Sequence, residues 1–586
     1  MSQSQRALTK STLRVRRQLM EAILFEQLIP YNEKPLSDDN EFVYQLGDRN
    51  RMFQCIGKRM SFDRIRLHDD IYMVGEDRSI RPTTIEDIVE ELTADSSVKN
   101  QLMYELEQTI QLSDWTEKHV DIPKSRRHLS YEQLESSITE GHLYHPCYKA
   151  RSGFSLSDHQ AFGPEGKRPF KLYWAAARRK DVQLCFPQDE SLFWEEELGS
   201  SLYHHLSQTL LSLGGNLKEY TFVPIHPWQW KELQMIGIQP LIERNELLLL
   251  GQCGDDYSAT QSVRTLWNVD NLKKAYMKLP MNMINTSSLR TLAPHTVCAA
   301  PLLSDWLQSI VFSDTFLQKE CRLVLLKEYA SVAFERNDHP ELNGQIGAIW
   351  RESVHLYLES DEKAVPFTAL MMTEQDGRLF VDEWLKEYGT ERWIKRFLEV
   401  AVLPVWHLLV AHGIGIEAHA QNMILFHEDG WPMRIALRDF HESVEYVHDY
   451  VVRTDLVPNF REIHPRFQNG CDDEYYWMSS IEALRELVMD TLFVFHLSEV
   501  SYALEEHGLF CEHKFWSLVR EIIEKHIGRF SHLKERHAML HPSQPKIFVE
   551  SLLRNKIQKR PSSSYRYQCA CHRITISKKG RTTCFT

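Results

Sequence analysis

Apolar side chains recur every three or four positions near the start of the chain. This spacing puts them on one face of a helix, so it predicts a helix from Thr12 to Ile29 that Pro30 ends. The apolar face consists of Leu19, Met20, Ile23, Leu24 and Leu28. Residues 41–57, EFVYQLGDRNRMFQCIG, predict a hairpin, because two apolar runs flank a polar Gly-Asp-Arg-Asn turn.

The pattern changes several times further along the chain. Charged helical patterns occupy residues 85–140, and short apolar runs broken by Gly, Pro and His follow from Gly141 to Thr291. Helical patterns return over residues 302–412, and a hairpin-like segment follows them. Helices then dominate from Ile481 to about Lys559. This mixture predicts an α+β fold.

The length of 586 residues exceeds what one hydrophobic core usually supports, so several packed lobes are expected. Changes in the pattern of apolar and polar residues place the lobe boundaries near residues 180 and 380. The predicted units are a lobe at 1–180, a lobe at 181–380, a lobe at 381–560, and a basic, cysteine-containing tail of unassigned role at 561–586.

Composition and charge narrow the possible functions. The chain has 81 acidic and 68 basic residues and a net charge of −13, which argues against a general nucleic-acid binder. The most apolar long run, Phe397–Ile416, contains Glu399, Pro404, His407 and His412, so it predicts a buried helix and no membrane contact. The N-terminus shows no export signal, and the cysteines are scattered, so a cytoplasmic protein is expected.

The segment GIGIEAHAQNMILFHEDGWPMRIALRDFHES, residues 413–443, contains the first cluster of candidate site residues. Glu417, Asn422 and Asp439 offer hard oxygen ligands, which suit Mg²⁺ better than zinc. A loop ending in Asn, then a hairpin, then Asp-Phe is also the layout of a protein-kinase site. The alternative is a polar turn joined to an ordinary solvated hairpin.

Two S-x-R-T units form the second cluster, one from Ser262 to Thr265 and one from Ser288 to Thr291. Lys278 lies between them on a predicted strand. Three cations, Arg264, Lys278 and Arg290, could cradle phosphate and carboxylate oxygens. The chain contains no GxxxxGK[ST] or GxGxxG motif, which excludes a P-loop or Rossmann site. The alternative is a basic surface patch.

A third cluster, GHLYHPCYKARSGF, contains His142, His145 and Lys149. It predicts a polar rim that contacts an anionic substrate, and a metal site is the alternative. In the tail, Cys569, Cys571 and His572 could also bind metal, but no second ligand pair has structural-zinc spacing. A poorly ordered tail is therefore the expectation there.

Six motifs that occur in order between residues 141 and 440 resemble the nonribosomal-peptide-synthetase-independent siderophore synthetases, the aerobactin synthetase family. They are GHLYHPCYKARSGF, IHPWQW, TQSVRT, MKLPMNMINTSSLRT, GIEAHAQN and LRDF. The resemblance implies a cupped hand in which the three predicted lobes are thumb, fingers and palm. It also implies that the palm binds ATP and is distantly kinase-like.

The chemistry implied by the resemblance uses ATP and Mg²⁺. A carboxylate of citrate or a citrate derivative is adenylated, and an amine or hydroxyl then displaces AMP to give an amide or ester. The partners would be a polycarboxylate and a polyamine or amino-alcohol, in siderophore biosynthesis, and a homodimer is common in the family. The nearest resemblance is to petrobactin-type synthetases.

The same resemblance implies roles for individual residues. Glu417, Asn422 and Asp439 would hold Mg²⁺, and His419, Arg290 and Lys278 would act on the reacting groups. Nucleotide and phosphate contacts would come from Ser262, Arg264, Thr265, Lys278, Thr286, Arg290 and Gln421. Carboxylate contacts would come from His142, His145, Lys149, Arg264, Thr286 and His419.

Some features depart from the family pattern or leave alternatives open. Gln261 stands where family members usually have Ser, which predicts altered selection of the acid. Arg554 and Lys556 are both candidates for a lysine-type contact near the C-terminus. α-Ketoglutarate or succinyl substrates remain possible within the same chemistry. A kinase-like phosphotransferase and a non-catalytic citrate binder are the alternatives of other classes.

Overall fold

Helices and sheets alternate along the chain, as the sequence predicts. The computed structural model describes residues 9–36, 40–47, 51–76, 78–544, 546–558 and 568–571. The predicted tail at 561–586, with His572, therefore lies outside the described residues, except for a short strand at 568–571.

The first region packs one long helix against a five-stranded antiparallel sheet in the order β1-β2-β3-β4-β5. The predicted hairpin is confirmed, since Tyr44 pairs with Cys55 between β2 and β3. The first helix ends earlier than predicted, because Gln27 adopts a positive φ of 51°. The elements are α1 Lys10–Phe25, β1 Tyr31–Pro35, β2 Glu41–Gly47, β3 Arg51–Arg59, β4 Ile65–Gly75, β5 Ile80–Pro82, α2 Ile85–Glu91, α3 Ser96–His119, α4 Tyr131–Ser137 and α5 Leu156–Phe162.

The middle region is built on an eight-stranded sheet in the order β7-β15-β16-β11-β10-β9-β6-β8. Lys278 ends the central strand β11, as the apolar run around it predicts. The elements are β6 Phe170–Arg178, β7 Val182–Cys185, α6 Glu190–Ser212, β8 Tyr220–Ile225, α7 Pro227–Ile236, α8 Gln239–Glu243, β9 Leu247–Ala259, β10 Thr265–Asn268, β11 Tyr276–Lys278, β12 Ile284–Asn285, β13 Ser288–Leu289, α9 Pro294–Ser313, β14 Val324–Leu325, β15 Glu328–Phe334, β16 Gly347–Arg351 and β17 Lys363–Pro366.

The prediction of helices throughout residues 302–412 is wrong in its central part, where β14 to β17 lie. These strands are almost entirely buried, so their apolar residues do not alternate with polar ones. A short strand buried on both faces has no period that separates it from a buried helix. The helices at both ends of this stretch are as predicted.

The third region holds the predicted hairpin, β19 and β20, in a four-stranded sheet in the order β14-β20-β19-β17. Asp429 and Gly430 turn the hairpin with φ of 45° and 96°. The elements are α10 Asp382–Tyr388, α11 Thr390–His407, β18 Ile414–Ile416, β19 Met423–Glu428, β20 Trp431–Leu437, β21 Val444–Tyr446, α12 Phe460–Ile463, α13 Ile481–Val488, α14 Ser498–Glu506, α15 Glu512–Arg529, α16 Lys534–Met539, β22 Lys546–Val549, α17 Leu552–Gln558 and β23 Gln568–Cys571.

Long apolar helical runs in this region lie inside the protein. The predicted buried helix in 397–416 is confirmed as far as His412, and β18 follows it. Among the described residues, one helical run, Ile481–Glu506, has the length and composition of a membrane span, and 78% of its apolar window is buried. That degree of burial is typical of a core helix.

The C-terminal helix returns to the first region of the chain. Leu553 and Ile557 of α17 are buried in the same hydrophobic cluster as α1 and β4. The buried Glu26 carboxylate accepts the backbone N–H groups of Leu553 and Arg554, which fixes the start of α17. This packing brings the last helix close to the cavity described below.

Candidate active site

A cavity of about 360 Å³ is lined by residues from all three predicted lobes. Eight of the fourteen predicted site residues line it, namely His142, His145, Lys149, Thr286, Arg290, Glu417, His419 and Gln421. The six that do not line it are Ser262, Arg264, Thr265, Lys278, Asn422 and Asp439. Predicted site residues as far apart in the chain as His142 and Gln421 are thus gathered into one site.

The three predicted histidines share one local conformation. Each Nδ1 atom accepts a backbone N–H two residues further along the chain, at 3.1 Å for His142, 3.1 Å for His145 and 3.2 Å for His419. An imidazole whose Nδ1 accepts a hydrogen bond carries its proton on Nε2. All three rings therefore carry an Nε2–H group, which suits an anionic ligand, although in His419 this group faces the Glu417 carboxylate at 3.4 Å.

His145 is the most confined of the three histidines. Its side chain is fully buried, and its Nε2 has no hydrogen-bond partner among the residues that the structure describes. Burial, with Lys556 nearby, holds the pKa of His145 well below its usual value, so the ring is neutral. A buried donor without a partner costs stability unless a ligand accepts it.

Lys149 lines the cavity, but it is already paired. Its Nζ lies 3.3 Å from Glu165, and Arg151 makes a two-pronged ion pair with the same carboxylate at 2.8 and 3.0 Å. The Lys149 ammonium is therefore held in a buried charge cluster. Its predicted contact with substrate carboxylates would require it to share that cluster.

Arg290 is the cavity's free cation among the described residues, because no carboxylate lies within 4.0 Å of it. One Nη donates to the Asn285 carbonyl at 2.9 Å, and the buried Nε has no partner in this part of the chain. Removal from water and the neighbouring Arg264 lower the pKa of Arg290 to about 10, so it remains charged at neutral pH. An unpaired arginine of this kind is suited to hold an anion.

The first S-x-R-T unit folds as a tight turn beside the cavity. Val263 has a φ of 66°, and the Ser262 hydroxyl accepts the Thr265 N–H at 3.1 Å. Arg264 donates to the Thr291 carbonyl at 2.6 Å, so this turn holds the strand end that carries Arg290. Ser262 and Thr265 thus shape the basic wall.

Lys278 and Asp439 form a buried charge cluster rather than separate sites. Asp439 Oδ1 accepts Lys278 at 2.9 Å and Arg351 at 2.7 Å, and Lys278 also lies 3.7 Å from Glu328. Although burial alone would raise it, the pKa of Asp439 is held well below its usual value by Arg351, Lys278 and Arg438. Asp439 is therefore ionised at neutral pH.

The residues predicted to bind Mg²⁺ flank the open end of the β19–β20 hairpin, where the Glu417 carboxylate accepts the Ser443 hydroxyl at 2.8 Å. Asn422 precedes β19, and its carbonyl accepts the backbone N–H of Arg438, the residue before Asp439. The Asn422 Nδ2 donates to the Glu417 carbonyl at 3.1 Å, which leaves its Oδ1 available as a ligand. Two carboxylates and an amide oxygen form a donor set that fits Mg²⁺.

Several lining residues lie outside the sequence prediction. Arg438, held by Glu135 at 3.2 Å and by Tyr131 at 2.8 Å, connects the hairpin to the first region. Asp490 and Glu550 add an acidic wall near Glu417, and burial together with the neighbouring acids raises the pKa of both groups. The sequence does contain a signal for Asp490, because it is an acidic residue within the apolar run MDTLFVFHL.

The two candidate C-terminal cations, Arg554 and Lys556, lie at different distances from the cavity lining. Lys556 Nζ donates to the Thr286 carbonyl at 3.3 Å and pairs with Glu105. Arg554 instead donates to the carbonyls of Glu26 and Gln27, outside the cavity. Lys556 is therefore the C-terminal cation nearer to the site.

Comparison with known proteins covers almost the whole chain. The IucA / IucC family model matches residues 130–372, and the ferric iron reductase FhuF-like transporter model matches residues 391–562. The chain is 36% identical over 555 residues to the citryl-spermidine/3,4-dihydroxybenzoyl-citryl-spermidine:spermidine ligase of Bacillus anthracis, covering 93% of this chain and 90% of that protein.

Two further likenesses agree with this one. The chain is 30% identical over 566 residues to the 2-[(L-alanin-3-ylcarbamoyl)methyl]-3-(2-aminoethylcarbamoyl)-2-hydroxypropanoate synthase of Staphylococcus aureus, covering 94% and 91% of the two chains. The crystal structure of the petrobactin biosynthesis protein AsbB of Bacillus anthracis superposes with a TM-score of 0.90 at 33% identity, covering 96% and 94%. The chain therefore belongs to the IucA/IucC family, the siderophore synthetases that its motifs resemble.

Proposed function

We propose that this protein is a ligase of siderophore biosynthesis that joins a citrate-derived carboxylate to an amine. The observation that carries the proposal is the two-sided cavity. One wall offers the unpaired Arg290 and imidazole N–H donors, and another part of the lining offers the carboxyl groups of Glu417, Asp490 and Glu550. Burial and the neighbouring Glu550 hold the pKa of Asp490 well above its usual value, so its carboxyl group favours the protonated form. The first wall suits a polycarboxylate and the second suits a cationic polyamine.

The proposed reaction has two steps. In the first, a substrate carboxylate oxygen bonds to the α-phosphorus of ATP, the α–β P–O bond breaks, and pyrophosphate leaves. In the second, the amine nitrogen bonds to the acyl carbon, the acyl–phosphate bond breaks, and AMP leaves with the electron pair. Arg290 and His419 offset the repulsion between the two anions and the charge that develops between them.

Mg²⁺ held by Glu417, Asn422 and Asp439 would neutralise phosphate charge. Lys278 and Arg351 keep Asp439 ionised and in place for that role. The three predicted lobes would act as thumb, fingers and a distantly kinase-like palm. A cytoplasmic location and a homodimer belong to the same proposal.

The nitrogen that attacks must lose a proton, and we assign Glu550, which lines the cavity, as the base that takes it. Removal from water and the nearby Glu417 carboxylate raise the pKa of Glu550 to about 7. A base with a pKa near the working pH is the most effective general base. Glu550 also lines the acidic wall that would hold the rest of a polyamine.

Products and acid specificity test the proposal together. We would measure pyrophosphate, AMP and ADP with ATP and Mg²⁺ across citrate, a citrate monoamide, α-ketoglutarate and succinate, each with hydroxylamine as surrogate nucleophile. AMP and pyrophosphate with a citrate-type acid are expected. ADP as the product would establish the phosphotransferase, and binding of citrate without ATP turnover would establish the non-catalytic binder.

Substitution Glu550→Gln should raise the KM for the amine and flatten the rise of kcat between pH 6 and 8. Although the substitution should impair activity, it should increase stability at high pH. Because the folded state raises this pKa from 4.5, ionisation of Glu550 costs folding free energy that grows as pH rises from about 4.5 to 7. The variant should therefore have a higher Tm than the parent at pH 8 and an equal Tm at pH 4.5.

Thermal unfolding and initial rates on one preparation check both effects. Glu445, whose pKa is raised to about 8 by removal from water and by Glu417, is the matched control, because it does not line the cavity. Glu445→Gln should raise Tm at pH 8 without changing the KM for the amine. An unchanged KM in Glu550→Gln would remove Glu550 from the amine site.

A further inference from the structure

Asp314, His407 and His412 form a compact cluster outside the candidate active site. Asp314 Oδ2 lies 3.1 Å from His407 Nε2 and 2.9 Å from His412 Nε2. One ligand-type atom from each of the three residues lies within 4.8 Å of the others. None of the three lines the cavity that holds the predicted site residues.

A π-helical turn brings the two histidines together. In an α-helix, residues five apart point about 140° away from each other, because each residue turns the helix by about 100°. Here Leu408–His412 is π-helical, and the His407 and His412 ring centroids are 5.8 Å apart. Such π-turns are rare and occur frequently at functional sites. The distorted turn is thus an observation separate from the cluster itself.

The three convergent atoms are hydrogen-bonded to one another, so a metal ion would replace these contacts. Asp314 Oδ1 already accepts the Leu317 N–H at 2.9 Å, so Oδ2 is the atom that faces the two rings. His407 Nδ1 lies 2.8 Å from His526 Nε2, an outer contact that orients the ring. Metal-bound histidines characteristically have such a partner on the other nitrogen.

Burial of the cluster is graded from inside to outside. The side chain of His407 is 3% exposed, that of His412 is 12% and that of Asp314 is 16%. The Phe316 and Phe530 rings cover the His407 ring on the inner side, at 4.7 and 5.2 Å. The cluster therefore has an apolar inner side and an outer side that reaches solvent.

We propose that Asp314, His407 and His412 bind one Zn²⁺ ion. Two imidazole nitrogens and one carboxylate oxygen are ligands that zinc accepts at tetrahedral geometry, with solvent in the fourth position. The same set is poorly suited to Mg²⁺, which prefers oxygen ligands. On binding, the Nε2 protons of both rings move to Nδ1; His407 then donates to His526, whose own proton moves from Nε2 to its Nδ1.

The ion would tie the end of α9 to the end of α11. The π-turn leads directly into Gly413 and β18, and Glu417 follows β18. A ligand at His412 therefore fixes the chain five residues before a predicted Mg²⁺ ligand. Zinc at this position supports the active-site loop by tying these two segments together.

Metal content and stability of the full-length protein test this proposal. After dialysis against Zn²⁺ and removal of free ion, the parent protein should hold one equivalent more zinc than His412→Gln or Asp314→Asn. Zinc should raise the parent's Tm by a few degrees and leave the Tm of those variants unchanged.

His526→Gln should weaken zinc binding by about 10–100-fold without abolishing it. Co²⁺ in place of zinc should give the strong visible absorption of a tetrahedral site.

His464→Gln is the matched control, because His464 also pairs with a carboxylate, Glu335 at 2.9 Å, but belongs to no three-ligand group within the described residues. It should retain the full zinc content. Equal zinc content in the parent and in both cluster variants would overturn the proposal and place any bound zinc elsewhere, including the tail cysteines. Asp314→Asn keeps the side-chain shape, so it serves as the test if His412→Gln does not fold.

Discussion

Arg290→Ala is expected to lower kcat/KM by about 10²–10³ while the protein remains folded. The loss is that of one group that stabilises developing negative charge in a site shielded from water. Arg290 has this role because it lines the cavity and no carboxylate of the described residues neutralises it. Initial rates of pyrophosphate release against the acid concentration measure the effect.

The stability of Arg290→Ala should not fall with its activity. Removal from water and Arg264 disfavour the charge on Arg290, so removing that charge should leave Tm equal or higher. Arg290→Lys restores the charge without the two-pronged geometry and should recover only part of the activity. A gain in stability together with a loss of activity is typical of residues retained for function.

Arg434 provides the matched control for Arg290. It makes a buried two-pronged ion pair with Glu362 at 3.0 and 2.6 Å and does not line the cavity. Arg434→Ala leaves Glu362 buried and should cost about 3–5 kcal/mol of folding free energy, with an unchanged KM for the acid. Near-parental turnover in Arg290→Ala would exclude Arg290 from the reaction.

The parts of the fold that the sequence predicts well are those with a distinct period or turn. The 41–57 hairpin and the 423–437 hairpin alternate or carry turn residues, and both are present. The strands between residues 324 and 366 were missed because burial on both faces removes alternation. The sequence places the end of α1 too late, because the spacing of apolar residues carries no sign of the positive φ at Gln27.

Prediction from the sequence is limited in the candidate site as well. Motif resemblance identified residues such as Arg290 and His145, but it could not show that Lys149 is paired with Glu165 or that Arg290 is unpaired. Pairing depends on which distant side chains meet, and Glu165, Asp490 and Glu550 belong to separate elements. The cluster of Asp314, His407 and His412 could not be predicted from the sequence for a related reason. The spacing of His407 and His412 brings the two rings together only in a π-turn.

The largest loss of activity is expected for Asp439→Asn, with kcat/KM lowered by about 10³ or more. A bound metal supplies several kcal/mol of charge stabilisation to phosphate chemistry, and each 1.36 kcal/mol is a factor of ten in rate. Asp439 is the one predicted Mg²⁺ ligand that two buried cations hold in place. The Mg²⁺ concentration for half-maximal rate should rise in this variant and also in Glu417→Gln.

The same substitution removes a counter-charge from Lys278 and Arg351, so the loss of a metal ligand must be separated from loss of folding. Leaving buried cations unpaired costs about 3–5 kcal/mol. The double variant Asp439→Asn/Arg351→Met deletes one unpaired cation that is 2% exposed and should regain stability. If Asp439 holds Mg²⁺, activity and Mg²⁺ dependence stay impaired in the double variant. Recovery of activity along with Tm would show instead that Asp439 acts only by neutralising its neighbours.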